Sequence, residues 1–361
     1  MPAEFATIAQ RIERNPLGRL MYGQRELFHS NLLAWFFDLL PESADAVFRP
    51  LTHPGEDSGR WVERERNNLD LVLHWPDRAP LIIENKVFSV PRLAQLDGYE
   101  AVASGWGSSP ALVLLSVSDP DFDLGHWTHL TYAELADRIL EALPAGHSYE
   151  VETMRRYAAL VRDLHELVSV VGVRSHAEAV WLPDSLLGAI SSNQMRAALH
   201  KARAHRVARI INVTIPDLEQ PASSGMSHAT PLVEVLEYVH TQGLDLQLGW
   251  QLQGRQFRRA AVFHDPAIKG SNQDSRQQRE LVSRKHPEFF AFPPGLPQKP
   301  SGRKSFNHFA PNFVYNYVKT PNLTIAELTE SARVIHEEIQ ALRAAELHPG
   351  MRSADAIRAA P

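Results

Sequence analysis

The chain has 361 residues and a formal net charge of −5, and it contains no cysteine. That length supports a sizeable core without staples, and the missing thiols exclude disulfides and thiolate metal sites, so any metal must be held by oxygen or imidazole. No window approaches the run of about 20 apolar residues that crosses a bilayer, and the first residues lack a basic start followed by an apolar run; a soluble cytoplasmic protein with no membrane partner is expected.

The net charge hides an uneven distribution. Between Met195 and Pro216 stand five basic residues (Arg196, Lys201, Arg203, Arg206 and Arg209) and no acidic one, and from Leu252 to Ser305 eleven Lys or Arg stand against four Asp or Glu. Positive charge is concentrated in the second half, either as solvated faces or as a surface that contacts phosphate.

In chain order, Leu27, Phe28, Leu32, Trp35, Phe36 and Leu39 recur at three- and four-residue spacing and predict a helix over 23–40 that stops before Pro41. "RWVERERNN" (60–68) reads as an edge strand. "LDLVLHW" (69–75) and "PLIIENKV" (80–87) are apolar strand-like runs separated by "PDRA", whose Pro and Asp supply turn chemistry, so they predict an antiparallel hairpin. "RLAQLDGYEAVAS" (92–104) is helical and "ALVLLSVS" (111–118) is the next buried strand. Thr131 and Glu134 form a T-x-x-E capping box for a helix to about Leu143, and Ser148 begins another. This order predicts an α/β layout with a mixed central sheet flanked by helices.

Residues 175–212 read as helical, and "EQPASSGMSHATP" (219–231) as a boundary. Beyond it "PLVEVLEYV", "LDLQLGWQL", "QFRRAAVFH" and "NFVYNYVK" predict strands, with a turn at Gln253-Gly254-Arg255, a loop at "QKPSGRKS" (298–305) and a last helix capped by Thr324 and Glu327. The expected organisation is a core over 1–172, a helical connector with a basic face over 173–218, and a smaller C-terminal α+β portion over 219–361.

The stretch "IIENKV" (82–87) breaks its own pattern, because Glu84 and Lys86 stand where a buried strand keeps apolar side chains. With the hairpin turn centred on Asp77, Asp70 lies opposite Glu84, seven residues to either side, and the period of two puts Lys86 on the same face. Two buried carboxylates at adjacent strand positions repel at a cost of several kcal/mol. A hard divalent cation resolves the conflict, and Mg²⁺ prefers a few carboxylate oxygens together with water and phosphate oxygens.

Asp70, a thirteen-residue spacer and then Glu84-Asn85-Lys86 resemble the core signature of the PD-(D/E)XK nuclease superfamily. Gln95-Leu96-Asp97-Gly98-Tyr99 fits the Q-x-x-x-Y helix element of the RecB-like branch, and "RELFHSNLLAWFFD" (25–38) resembles the first-helix motif of bacterial stand-alone members, where a glutamate in Glu26's place reaches the metal centre. The resemblance covers roughly residues 20–140. It departs from the pattern in one place, where Leu69 stands instead of the proline before Asp70.

The resemblance implies a restriction-endonuclease-like core and a Mg²⁺-dependent deoxyribonuclease, with Mn²⁺ substituting. It implies Asp70, Glu84 and the backbone carbonyl of Asn85 as metal ligands, Glu26 completing the shell, Lys86 assisting the attacking water, and Gln95 and Tyr99 positioning the site or the nucleic-acid backbone. DNA is the expected partner, with defence against foreign DNA or DNA processing as settings, and dimerisation is a further implication. An RNA-directed nuclease and a catalytically lapsed nucleic-acid-binding protein on the same scaffold are the competing readings.

Arg196, Lys201, Arg203 and Arg206 on the basic helix, and Arg258 and Arg259 on a candidate strand, are the expected phosphate contacts. His126 and His129, three apart, precede a capping box and are read as structural or surface groups. "GRKS" (302–305) has Arg303 where a phosphate loop needs Lys and no buried strand before it, so no nucleotide cofactor is expected.

Overall fold

The computed structural model describes residues 2–297 and 306–347, apart from residues 25, 57–58, 88, 90, 107–108, 121, 242, 267 and 310. The chain forms two compact units, Met1–Gly172 with Leu182–Ala202 and Val173–Trp181 with Arg203–Pro361. The loop expected at 298–305, with "GRKS" inside it, lies outside the described residues.

In the first unit, helices α1 (Pro2–Arg14), α2 (Pro16–Gln24), α3 (Glu26–Leu39) and α4 (Pro41–Phe48) precede the hairpin. The predicted helix over 23–40 is α3, and Pro41 both ends it and opens α4, where a missing N–H is harmless. Strands β1 (Trp61–Arg66), β2 (Leu69–Trp75), β3 (Arg78–Lys86), β4 (Ala111–Ser116) and β5 (Trp127–Thr131) lie side by side in that order. The first three pair antiparallel, and β3, β4 and β5 pair parallel, with helix α5 (Leu93–Ala103) as the crossover between β3 and β4. Helices α6 (Tyr132–Ala142), α7 (Tyr149–Val170) and α8 (Asp184–Leu187) follow, α6 opened by the Thr131–Glu134 capping box.

The apolar runs of β2, β3 and β4 are continuous because both faces of the sheet are covered. Leu71, Leu73, Leu81, Ile83, Val113 and Leu115 join the core that includes Phe36, Phe37 and Tyr157 of α3 and α7. Val72, Ile82, Leu112 and Leu114 face the other way and pack with Leu96 of α5.

Helix α9 (Asn193–Thr214) covers only part of the helix expected over 175–212. The stretch before α8 is irregular because its backbone is bonded elsewhere in the second unit: Val180 N–H donates to the Leu323 carbonyl at 2.8 Å, and Ile325 N–H to that of Glu178 at 2.9 Å. The residues expected to form a separate connector over 173–218 are therefore divided between the two units.

The second unit is α+β. Strands β6 (Ser223–Ser227), β7 (Thr230–Thr241), β8 (Leu244–Gln253), β9 (Gln256–Phe263), β10 (Asn307–Phe309) and β11 (Phe313–Lys319) form an antiparallel sheet ordered β10-β11-β9-β8-β7-β6. Helices α10 (Gln273–Lys285) and α11 (Ile325–Leu347) complete it. The stretch expected as a boundary at 219–231 contains β6, which pairs with β7, so the polar Ser-Gly sequence is a strand inside the second unit and not a boundary.

Gly249 of β8 sits where a Cβ would lie 1.9 Å from the Val235 carbonyl oxygen of β7, so the close approach of two backbones, not a special φ, requires glycine there. Gly249→Ala should destabilise the second unit by about 2 kcal/mol or more, read as a lowered midpoint in chemical denaturation; an unchanged midpoint would contradict the packing described.

Candidate active site

The β2–β3 hairpin pairs Leu71 with Ile83, Val72 with Ile82 and Leu73 with Leu81. The same register continued places Asp70 across from Glu84, at the end of the hairpin far from the turn. There the Asn85 backbone N–H donates to Asp70 Oδ2 at 2.7 Å, so the aspartate side chain takes the place of a ladder acceptor. Lys86 Nζ forms an ion pair with Glu84 Oε1 on the same face of β3. Gln95 of α5 donates to Glu84 Oε1 at 3.3 Å and to the Tyr99 hydroxyl at 2.6 Å, as the one-turn spacing along the helix allows.

Glu84 is only 1% exposed, and its Oε2 has no hydrogen-bond partner among the described residues. Burial, and then the charge of Asp70, push its carboxyl up to about 8 against the opposing pull of Lys86. The Asp70 carboxyl is also raised, by burial first; the Asn85 N–H and Lys86 oppose this, while Glu65 and Glu26 add to it. Burial alone would depress the Lys86 ammonium, but Glu84, Asp70 and Glu26 outweigh it and the net shift is upward. The Tyr99 hydroxyl is raised by burial and by the Glu84 charge.

Glu26 lies in the first turn of α3, the helix end that favours a negative charge. Its Oε1 accepts from the Ser89 N–H at 3.0 Å and the Ser89 hydroxyl at 2.7 Å. Its carboxylate is close enough to act electrostatically on both Asp70 and Lys86, so α3 delivers an acid to the neighbourhood of the hairpin end.

Asn85 points to the opposite face of β3. Its Nδ2 donates to Ser30 Oγ at 2.6 Å, and the Tyr132 hydroxyl donates to its Oδ1 at 3.3 Å. Tyr132 meets the edge of the His29 ring, and His29 Nδ1 lies 3.1 Å from the Tyr157 hydroxyl. Burial lowers His29 to about 3, which keeps it neutral. The sequence gives no sign of Tyr132 or Ser89 at this site. Ser30 is signalled by its place one turn after Glu26 in an apolar helix, where it reads as a capping or surface group; both it and His29 are instead fully buried.

Among the described residues no three His, Asp or Glu side chains form a cluster that could hold a metal by themselves. The donors that do converge, two carboxylates of which one keeps an orphaned buried oxygen, fit a hard cation of the Mg²⁺ kind, which takes one or two carboxylates and fills its shell with water and phosphate.

The expected phosphate-binding arginines divide. Arg203 is 2% exposed, its guanidinium bonded to the Glu178 carboxylate at 3.1 Å and to the carbonyls of Ala179 and Val180, so it ties the chain and is not a surface cation. Arg259 is likewise 2% exposed and bonds the Phe289 carbonyl and Glu338; burial lowers it to about 10. Arg196 is half-buried and donates to the Ile190 carbonyl at 2.6 Å. Lys201, Arg206 and Arg258 are partly exposed. His126 is exposed against Glu100, and His129 lies 2.9 Å from Ser116 Oγ.

Glu84 gives the metal-free protein a pH signature. Its folded-state value near 8 exceeds the ordinary 4.5, so between the two the folded state holds a proton that the unfolded chain has released, and stability falls as pH rises through that window. In EDTA, wild type should lose roughly 1–2 kcal/mol between about pH 6.5 and 8.5 that Glu84→Gln does not lose, measured by chemical denaturation. Equal slopes in the two proteins would show that Glu84 is already ionised across the window. No family model, curated protein or solved structure matches the chain.

Proposed function

We propose that this chain is a metal-dependent nuclease that hydrolyses phosphodiester bonds in DNA, on a restriction-endonuclease-like core of the PD-(D/E)XK type. The observation that carries the reading is the meeting of Asp70 and Glu84 beside Lys86 at the end of a buried hairpin, with one Glu84 oxygen unpartnered among the described residues and its carboxyl raised to about 8. The order of elements supports it: an acid on β2, an acid-x-Lys on β3, a crossover helix bearing Gln95 and Tyr99, then a parallel strand. The raised carboxyl shows that Lys86 alone does not offset the two acids, and more positive charge at this point is favourable.

On this reading Asp70, Glu84 and the Asn85 carbonyl hold Mg²⁺ or Mn²⁺, and Glu26 completes the shell. When bound, the ion polarises the scissile phosphate and acidifies a water. The protein's own groups do the rest. The Asn85 N–H fixes the Asp70 carboxylate, and Gln95, braced by Tyr99, fixes Glu84 from the side of α5. Lys86 keeps its proton because three carboxylates surround it, so it can hold the attacking water by a hydrogen bond and stabilise the negative charge that builds on phosphorus. As the water oxygen bonds to phosphorus it gives up a proton to solvent, the bond to the departing sugar oxygen breaks, and that oxygen takes up a proton from solvent.

Supercoiled plasmid, single-stranded DNA and RNA, each with Mg²⁺, with Mn²⁺ and with EDTA, test the reading. DNA should be cut with either ion and spared in EDTA. Lys86→Ala should lower the cleavage rate by about 100-fold or more while the folded protein still binds DNA. Glu84→Gln should also weaken Mn²⁺ binding in calorimetry. Full activity in the Lys86 variant, or cutting that survives EDTA, would refute the assignment, and cutting of RNA alone would move it to the RNA-directed class.

A further inference from the structure

The second sheet shows two unlike faces. Alternate residues such as Val233, Val235, Leu246, Leu248, Phe257, Val314 and Val318 are buried in that unit's core. On β11 the residues between them, Phe313, Tyr315 and Tyr317, remain partly exposed on the other face, and Lys319 is exposed at its end. Their rings follow one another at centroid distances of 5.7 and 6.4 Å. On the neighbouring edge strand Phe309 pairs with Phe313 and is 72% exposed.

The centre of this face is built to hold its shape. Tyr317 pairs with Arg258 of β9, whose guanidinium lies 4.5 Å from the centre of the Tyr315 ring. Gln251 and Gln256 accept from that guanidinium at 2.6 and 2.8 Å and hold it beside the ring. Beside Tyr315 the cross-strand neighbours are Ala260 and then Gly249, so the floor next to the ring is low. Two residues past the Tyr317–Arg258 pair, Lys319 pairs with Gln256, so Arg258 and Lys319 stand near one another at one end of the sheet. Glu234, the acid in that row, is engaged by Gln251 at 2.7 Å.

We propose that this face binds single-stranded DNA, with bases stacked on Phe313, Tyr315 and Tyr317 and phosphates drawn by Arg258 and Lys319. Alternate residues on a strand are about 6–7 Å apart, so successive rings can each take one base of an extended strand. A duplex holds its bases about 3.4 Å apart per strand, stacked on each other, and offers no open faces. Stacking on aromatic rings is tolerant of sequence, and the cations supply the backbone attraction that a chain of net charge −5 lacks as a whole. The surface adds to the nuclease reading, and the choice of DNA as the polymer rests on that reading.

The test uses the full chain carrying Lys86→Ala in EDTA, with a fluorescent oligothymidine of about 12 nucleotides, within the usual site size, followed by anisotropy. Replacing Tyr315 and Tyr317 together by Ala should weaken binding about tenfold or more, and replacing both by Phe should preserve it. Lys319→Ala should flatten the dependence of log affinity on log salt by roughly 0.7. Should the alanine variant not fold, Tyr315→Trp decides, since its emission must be quenched when the oligonucleotide is added. Unchanged affinity in the folded alanine variant, an unquenched tryptophan, duplex bound as tightly as single strand, or an RNA oligomer bound more tightly than DNA would each overturn the proposal. Ring-dependent binding by a wild-type chain that cuts nothing would sink the nuclease reading and leave this surface standing. Metal-dependent cutting with binding indifferent to the rings would do the reverse.

Discussion

Holding the Glu84 carboxylate out of water, next to a second carboxylate and an ammonium, is the constraint on which the first unit's site depends. A buried charge without compensation costs several kcal/mol, and here two compensations compete with two penalties, burial and a neighbouring acid. Lys86 pairs with Glu84 and Gln95 donates to it, while Asp70 repels it. The upward shift shows which side wins: burial and Asp70 together exceed Lys86. The site is short of positive charge, and a proton or a cation supplies it. On the proposed reading the strand therefore tolerates its charged positions because they are completed by an ion and a phosphate rather than by the protein alone.

The opposite face of the same strand explains how such a group is held still. Asn85, between the two charged residues, is fixed by Ser30 of α3 and Tyr132 of α6, and its N–H reaches Asp70. The helix that supplies Ser30 also supplies Glu26, one turn earlier. One layer of helices thus anchors the strand end through a neutral polar network and brings a third acid toward its charged face. Neutrality matters there, because His29 and Tyr157 sit wholly within the core and a charge on either would be uncompensated.

In the second unit arginine serves two different ends. Arg203, Arg259 and Arg279 are each 2% exposed, and each donates to backbone carbonyls outside the strands and α-helices, so their guanidinium groups fasten connecting segments. Arg258, next to Arg259 on the same strand, falls on the other face and lies against Tyr315. A count of basic residues along 195–216 or 252–305 mixes these two kinds. The alternation of a strand, not the sum of charge, separates them.

The sequence by itself determined the hairpin, its register, the capping box of α6 and the pairing of Asp70, Glu84 and Lys86, because these depend on spacing within one or two neighbouring elements. It also marked Gln95 with Tyr99, whose contact is a one-turn helical relation. It misjudged 175–183, read as helix, where backbone pairing with segments far along the chain decided the outcome, and 219–231, read as a boundary, where Ser223–Ser227 pairs as an edge strand with β7. Only the tertiary structure decided that Ser30 and Tyr132 hold Asn85, that Ser89 holds Glu26, and that Arg203 and Arg259 are interior. Local periodicity encodes which face a residue takes; what lies opposite that face is set by how distant elements pack, and a single sequence does not write that down.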